Sequence, residues 1–379
     1  MFSYKMGVLY ERMYKTLLIF IWTCFCTDGV YDNNIVKSYK ITTKPASTFY
    51  HDNGPFYWKI GKSNQFSGGK MQKIIFQGYP ICIVRQVDET RELQAISDIC
   101  LHRAASLSQG RVLSNGCIQC PYHGWEYRDG LVETIPGCPK DETKPSRIGI
   151  PRFSVKELND DVYLCPTYDM NSEIGSNALT DIHIPREATD TSFRRVSGRR
   201  HIRRPHNLVT ENVLDMMHVS FVHSFGNRLS PVPFKILYND LDAFSGKTTF
   251  YYTAGPMSMS SVLGNAQFVK VENEFYLPDT TITRVFANNI VKTIVTHSYP
   301  IGKNESILHY DLYRNFLDSP VFDSFFRYQM DLTLDEDVEI LNSVYDAHMD
   351  GYMNTKFDVT QIRYRKKWRE VLSHKNSKK

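Results

Sequence analysis

The chain has 379 residues, 42% of them hydrophobic, and its 45 Lys+Arg against 41 Asp+Glu leave a formal net charge of +4. Such a length accommodates two domains with separate cores, and such an apolar content is ordinary for a soluble protein. So small a net charge argues against nucleic acid as a partner.

Taken from the N-terminus, the first feature is an apolar stretch, residues 16–26, preceded by Lys15. It is too short to span a bilayer but has the length of a signal-peptide core, with Met6 and Met13 as alternative starts. Residues 1–45 are therefore either a targeting leader or peripheral membrane contact, or an amphipathic or buried helix. From about residue 55, Pro55-Phe56-Tyr57-Trp58 opens a series of short β-like runs at 73–76, 81–84 and 162–165. The turns Ser114-Asn115-Gly116 and Arg128-Asp129-Gly130 punctuate them, as in an all-β module.

Two Cys/His pairs lie inside this module. Cys100-Leu101-His102 is followed after seventeen residues by Cys120-Pro121-Tyr122-His123, then Gly124-Trp125. Pairs so spaced suit a [2Fe-2S] cluster of mixed ligation, in which neutral imidazoles remove charge from one iron and raise the reduction potential. Zinc fingers of this size usually pair C-x2-4-C with H-x3-5-H instead of alternating Cys with His. The other cysteines, Cys24, Cys26, Cys82, Cys117, Cys138 and Cys165, show no framework of paired spacings and fit a reducing compartment, cytoplasmic or organellar.

The run from Cys100 to Val112, taken with Cys117-Ile118-Gln119-Cys120-Pro121-Tyr122-His123-Gly124-Trp125, resembles the Rieske domain of the non-haem iron oxygenases. It is less similar to the respiratory-chain Rieske proteins, whose extra loop cysteines are matched here by Ala105 and Tyr122. Ala104 stands where the oxygenases usually have glycine. The resemblance implies that Cys100 and Cys120 hold one iron, and His102 and His123 the other.

Further on, Glu211-Asn212-Val213-Leu214-Asp215-Met216-Met217-His218, with His223 beyond, resembles the E-N-x-x-D-x-x-H-x4-H signature of the oxygenase catalytic domain, whose two histidines bind a mononuclear ferrous iron. As a pattern the segment 208–223 is a helix with Asn212, Asp215 and His218 on one face. His223 then lies about 140° round from His218, so the helix must end or distort between them for both to reach one metal. A facial triad also needs a carboxylate from elsewhere. The expected one is Asp337, in the acidic segment 334–341, with Asp335 and Glu336 as alternatives; four acids in such a run also suit a solvated helix face. In the family the aspartate matching Asp215 binds no metal but hydrogen-bonds a histidine on each centre, bridging the cluster of one subunit to the iron of its neighbour. The same resemblance implies a homo-oligomer, usually a trimer.

Strand-like segments follow at 248–252, 268–271, 281–286, 292–295 and 307–311, then a helix-rich end over 319–347. The expected fold is α+β: an all-β Rieske [2Fe-2S] domain over 50–170, then a helix-grip, START-like α+β catalytic domain over 180–370. Six arginines fall between Arg194 and Arg204, and a second basic cluster spans Arg363-Tyr364-Arg365-Lys366-Lys367. They are a solvated linker and tail, or a dock for an acidic electron donor.

The histidine spacing is closer to vanillate demethylase and the pheophorbide oxygenases than to the two-subunit ring dioxygenases. No cysteine follows Cys165, so the C-terminal C-x-x-C of the chlorophyll-breakdown enzymes is missing from this sequence. The resemblance implies an oxygenase that takes electrons from NAD(P)H through a ferredoxin and/or flavin reductase. With dioxygen it would hydroxylate, demethylate or desaturate an aromatic or other hydrophobic substrate. The rival readings are an electron carrier with a ligand-binding domain and an inactive iron site, and a family member that oxidises sterols or other lipids.

Overall fold

The computed structural model of the protein describes residues 56–87, 91–137, 148–166, 178–256, 258–345 and 353–376. The N-terminal apolar stretch with Cys24 and Cys26, and also Cys138, lie outside the described residues. Among the described residues no helix is long and apolar enough to cross a membrane.

The first half is all-β. Strands β1 (Trp58–Lys62), β2 (Met71–Phe76), β3 (Tyr79–Arg85) and β4 (Leu93–Ser97) are followed by a small antiparallel meander of β5 (Arg111–Val112), β6 (Ile118–Gln119), β7 (Glu126–Arg128) and β8 (Leu131–Thr134). With β9 (Arg152–Leu158) and β10 (Asp161–Cys165) the outer strands close a six-stranded sheet in the order β1-β10-β9-β4-β3-β2. The meander is anchored on this sheet by a cluster in which Cys82, Val84 and Ile96 pack against Leu107, Ile118 and Tyr127.

The second half is one seven-stranded antiparallel sheet with helices. Its strands are β11 (Arg194–Ile202), β12 (Phe234–Asp240), β13 (Ser245–Thr253), β14 (Phe268–Tyr276), β15 (Thr280–Ala287), β16 (Ile290–Gly302) and β17 (Glu305–Arg314), in the order β11-β17-β16-β15-β14-β13-β12. The helices are α1 (His206–Leu214), α2 (Val219–Val222), α3 (Met259–Val262), α4 (Asp323–Ser343) and α5 (Val359–Asn376). Helix α4 lies along β11, its Phe326, Met330, Leu334 and Leu341 packed with Val196, Leu308, Tyr310 and Leu312 of the sheet. The largest apolar cluster draws on both halves: Trp58, Phe76 and Leu164 from the first meet Leu214, Phe275, Tyr299 and Trp368 from the second.

The basic segment at 194–204 is not a linker. Nine of its residues form edge strand β11, paired in register with β17 from Arg194↔Arg314 to Ile202↔Ser306. Three of its six arginines are paired with carboxylates inside the molecule. Arg194 meets Asp323 at 2.6 Å and Arg200 meets Asp335 at 2.6 Å, while Arg195 bonds Asp161 at 2.6 Å and Asp311 at 2.9 Å. Asp161 and Asp311 also hold Lys59, at 2.9 and 2.5 Å, and Lys62, at 2.8 and 3.0 Å, so three cations and two carboxylates bind the two halves together. The second basic cluster lies on α5 and is likewise engaged: Arg365 with Glu211, Lys367 with Asp240 at 2.9 Å, and Arg363 over the Tyr238 ring. The exposed Arg199 of β11, and Arg203 just beyond its end, remain outside these ion pairs.

Candidate metal centres

Two turns present the first set of ligands, and they are built alike. In one, the Ala104 N–H donates to the Cys100 carbonyl at 2.9 Å and the Cys100 N–H to the Ala105 carbonyl at 2.9 Å. In the other, the Gly124 N–H donates to the Cys120 carbonyl at 3.1 Å and the Cys120 N–H to the Trp125 carbonyl at 2.8 Å. The thiols of Cys100 and Cys120 are buried at 2% and 3% exposure, whereas His102 and His123 are exposed at the tips with ring centroids 4.5 Å apart. His102 stacks on Trp125 at 5.1 Å, and Tyr122 tilts over His123 at 3.8 Å. Burial raises the pKa of the Cys120 thiol, with a smaller contribution from the neighbouring Cys100. Sulfur inside and imidazole at the surface fits a cluster of mixed ligation.

Tyr127, two residues beyond the end of the motif at Trp125, completes this site. Its hydroxyl lies 3.1 Å from Cys100 Sγ and accepts the Leu101 N–H at 3.1 Å. Sequence alone does not flag it, since one tyrosine in a short strand carries no signal of its partner.

The second set is gathered from three places. Helix α1 stops at Leu214, Asp215 is extended (φ −71°, ψ 127°), α2 covers only Val219–Val222, and His223 is again extended. The break expected between His218 and His223 falls earlier, at Asp215, with the short α2 joining the two histidines, and both imidazoles reach one point. The Asp215 carboxylate stabilises the break by accepting the Met217 N–H at 2.6 Å and the His218 N–H at 3.2 Å, an Asx-type turn leading into α2. From α4 comes Asp337, whose Oδ1 lies 3.5 Å from His218 Nε2 and 3.6 Å from His223 Nε2. One ligand atom from each of the three falls within 4.8 Å of the others.

Each imidazole is oriented by its far nitrogen. His218 Nδ1 donates to the Asp215 carbonyl at 3.0 Å and His223 Nδ1 to Glu336 Oε2 at 3.0 Å, which leaves both Nε2 lone pairs facing Asp337. Glu336 also accepts the Ser224 N–H at 3.1 Å, so it orients a ligand and is not the third ligand. Asp335, the other alternative, points away to Arg200. Burial, then the Glu336 and Asp215 carboxylates, push the Asp337 acid up to about 7. Burial lowers the pKa of His218, and burial with His218 beside it lowers that of His223 to about 4. Two neutral imidazoles and one carboxylate without a counter-charge are what a ferrous ion would complete, and the residues fit it.

Asp215 does not reach His218 Nδ1 with its carboxylate, which stays 3.9 Å away; the bond to that ring runs through its backbone carbonyl. Beside the three ligands opens a cavity of about 320 Å³, lined mainly by apolar side chains of the sheet, α2 and α4.

Residues 57–156 match the Rieske [2Fe-2S] domain, and residues 202–373 match the vanillate O-demethylase oxygenase C-terminal domain. The chain belongs to the Rieske non-haem iron oxygenases. Among this family's curated members it is 29% identical over 168 residues to pheophorbide a oxygenase, chloroplastic, of Oryza sativa subsp. japonica, covering 42% of this chain and 31% of that protein. It is 31% identical over 144 residues to the oxygenase component of dicamba O-demethylase from Stenotrophomonas maltophilia, covering 38% of this chain and 40% of that protein. These alignments thus span well under half the length of those relatives. The fold matches that of dicamba monooxygenase bound to 3,6-dichlorosalicylic acid with a TM-score of 0.69 at 20% identity, over 85% of this chain and 98% of that one.

Proposed function

We propose that this protein is the terminal oxygenase of an electron-transfer chain that hydroxylates, demethylates or desaturates an aromatic or other hydrophobic substrate. The convergence of His218 Nε2, His223 Nε2 and Asp337 Oδ1 within 4.8 Å, beside an apolar cavity, carries this reading. In it Cys100, His102, Cys120 and His123 hold a [2Fe-2S] cluster, and His218, His223 and Asp337 hold a mononuclear ferrous iron. Bound there, the cluster would supply electrons and the iron would activate dioxygen. Electrons from NAD(P)H would arrive through a ferredoxin and/or flavin reductase.

The chain's own residues do the positioning. Glu336 and the Asp215 carbonyl fix the two histidine tautomers, and Asn212 Nδ2 lies 3.4 Å from Asp337 Oδ1, holding that carboxylate against α1. The apolar walls exclude water from the space in which substrate would sit. Exposed His102 and His123 suit contact with another copy of the chain, and in a homotrimer the Asp215 carboxylate, 29% exposed, would face such a cluster loop of its neighbour.

Purified, reconstituted protein should hold about three irons per chain, two in the cluster and one at the triad. With NADH, a flavin reductase and oxygen it should oxidise an aromatic substrate. The electron-carrier reading expects about two irons per chain and no product.

A further inference from the structure

The cavity beside the triad contains a charge that its surroundings do not explain. Its walls include Phe250, Val269, Val271, Val285, Leu312 and Met330, all apolar. Two of the lining amides are occupied: Asn273 Nδ2 donates to the Leu214 carbonyl at 3.3 Å while its Oδ1 accepts the Thr283 hydroxyl at 3.1 Å, and Asn227 Nδ2 donates to the Thr253 carbonyl at 3.3 Å. Lys292 also lines this space. It stands on β16 opposite Val285 of β15 and Arg314 of β17.

Among the described residues, no carboxylate pairs with Lys292. The nearby negative charges are spoken for: Asp323 takes Arg314 and Arg194, each at 2.6 Å, and Asp215, the cavity's other charged lining residue, accepts backbone N–H groups of Met217 and His218. The contact the ammonium does make is with a ring. Lys292 Nζ lies 5.7 Å from the centroid of Phe225, and Phe225 stacks on His223 at 5.0 Å and 17°. A half-buried ammonium facing apolar walls without an anion is costly, and the aromatic ring beside it offsets only part of that cost. Consistent with this, burial lowers the lysine's pKa.

We propose that Lys292 is the anchor for an anionic group of the substrate, so that the cavity selects an apolar molecule bearing a carboxylate. This rests on the oxygenase reading above and adds to it the class of substrate. The carboxylate would complete the ion pair that the protein leaves open, beside the Phe225 ring that also stacks on His223. An otherwise identical neutral amide would leave the ammonium unpaired, which is how a polar group in an apolar site discriminates.

The test is equilibrium binding of 2-naphthoate and 2-naphthamide to the cluster- and iron-loaded protein, followed by calorimetry. Wild type should bind the acid about 10- to 100-fold more tightly than the amide. Lys292→Met should abolish this preference and Lys292→Arg should retain most of it, with iron content and cluster spectrum unchanged in both. If wild type shows no preference for the acid, or if Lys292→Met keeps it because the carboxylate binds the metal or another cation, the proposal is overturned. Should Lys292→Met fail to fold, Lys292→Gln carries the same comparison. Iron counted on the same wild-type sample keeps the two readings apart: about two irons per chain would remove the oxygenase reading, whatever the naphthoate result.

Discussion

Cys100 and His102 sit on one turn and Cys120 and His123 on another, each turn closed by its own backbone hydrogen bonds, whereas His218, His223 and Asp337 are assembled from a broken helix and a distant one. The proposed cluster ligands are set by short-range geometry, one pair on the loop between β4 and β5 and the other inside the meander between β6 and β7. The three candidate iron ligands come together only because α4 packs against the sheet and presents Asp337 to the break after α1. A local site tolerates changes elsewhere; an assembled one depends on every element that brings it together. The sharpest way to break this comparison is to remove one assembled ligand. His218→Ala or His223→Ala should lower iron from about three to about two per chain and reduce product formation to background, while the visible and paramagnetic spectra of the cluster stay unchanged. If either variant also bleaches the cluster, the two centres are not independent.

The next test concerns what connects them. Asp215→Asn keeps the oxygen that accepts the Met217 and His218 N–H groups, and the carbonyl that holds His218 Nδ1 is untouched, so both metals should be retained. What is removed is a partly exposed negative charge. Turnover should fall by roughly tenfold or more if that charge orients a neighbouring copy's cluster histidine. Stopped-flow oxidation of the reduced cluster, in the presence of substrate and oxygen, is the measurement; a rate equal to wild type would make Asp215 a turn-forming residue and nothing more.

Within the assembled site, adjacent acids on α4 should differ. Glu336→Gln weakens the bond that fixes His223 and should reduce iron affinity about 10- to 100-fold, measured by competition with a ferrous chelator. Asp335→Asn should leave it unchanged, because Asp335 is an exposed partner of Arg200. Equal effects from the two would mean that the negative field of α4 matters, and not the bond to His223.

How much of this the sequence revealed follows the same division. The cluster ligands stand out because their geometry is local and a motif records it. Strands at 73–76, 81–84, 248–252 and 281–286 were visible as apolar runs, each a little shorter than the strand observed. Strand β11 was hidden because its inward partners are the carboxylates Asp161 and Asp311, so arginine and serine occupy positions where an apolar alternation would have marked a strand. Asp337 carried a signal that its charge obscured: with Phe326, Met330, Leu334 and Leu341 it lies on the buried stripe of α4, at the spacing of one helix face. The vacant ion-pair position at Lys292 had no sequence signature, since it depends on which acids fold close to it.

The smallest effects separate the two cluster turns, which share their backbone hydrogen bonds but differ in the residue at the left-handed position, Ala104 in one and Gly124 in the other. Gly124 has φ +72°, and a Cβ there would meet Pro136 Cγ at 3.1 Å; Ala104, at the matching place, has φ +56° and already carries the Cβ. A left-handed backbone costs a non-glycine residue about 1–2 kcal/mol. Gly124→Ala adds that strain and crowds the proline, so it should destabilise the protein by about 1–2 kcal/mol. Ala104→Gly relieves the same strain but loses rigidity in the unfolded chain, so the net gain should be under about 1 kcal/mol. Thermal unfolding followed through the cluster absorbance should rise slightly for Ala104→Gly and fall for Gly124→Ala. If Ala104→Gly melts lower than wild type, the alanine methyl makes a compensating contact and the two turns are less alike than their backbone bonds suggest.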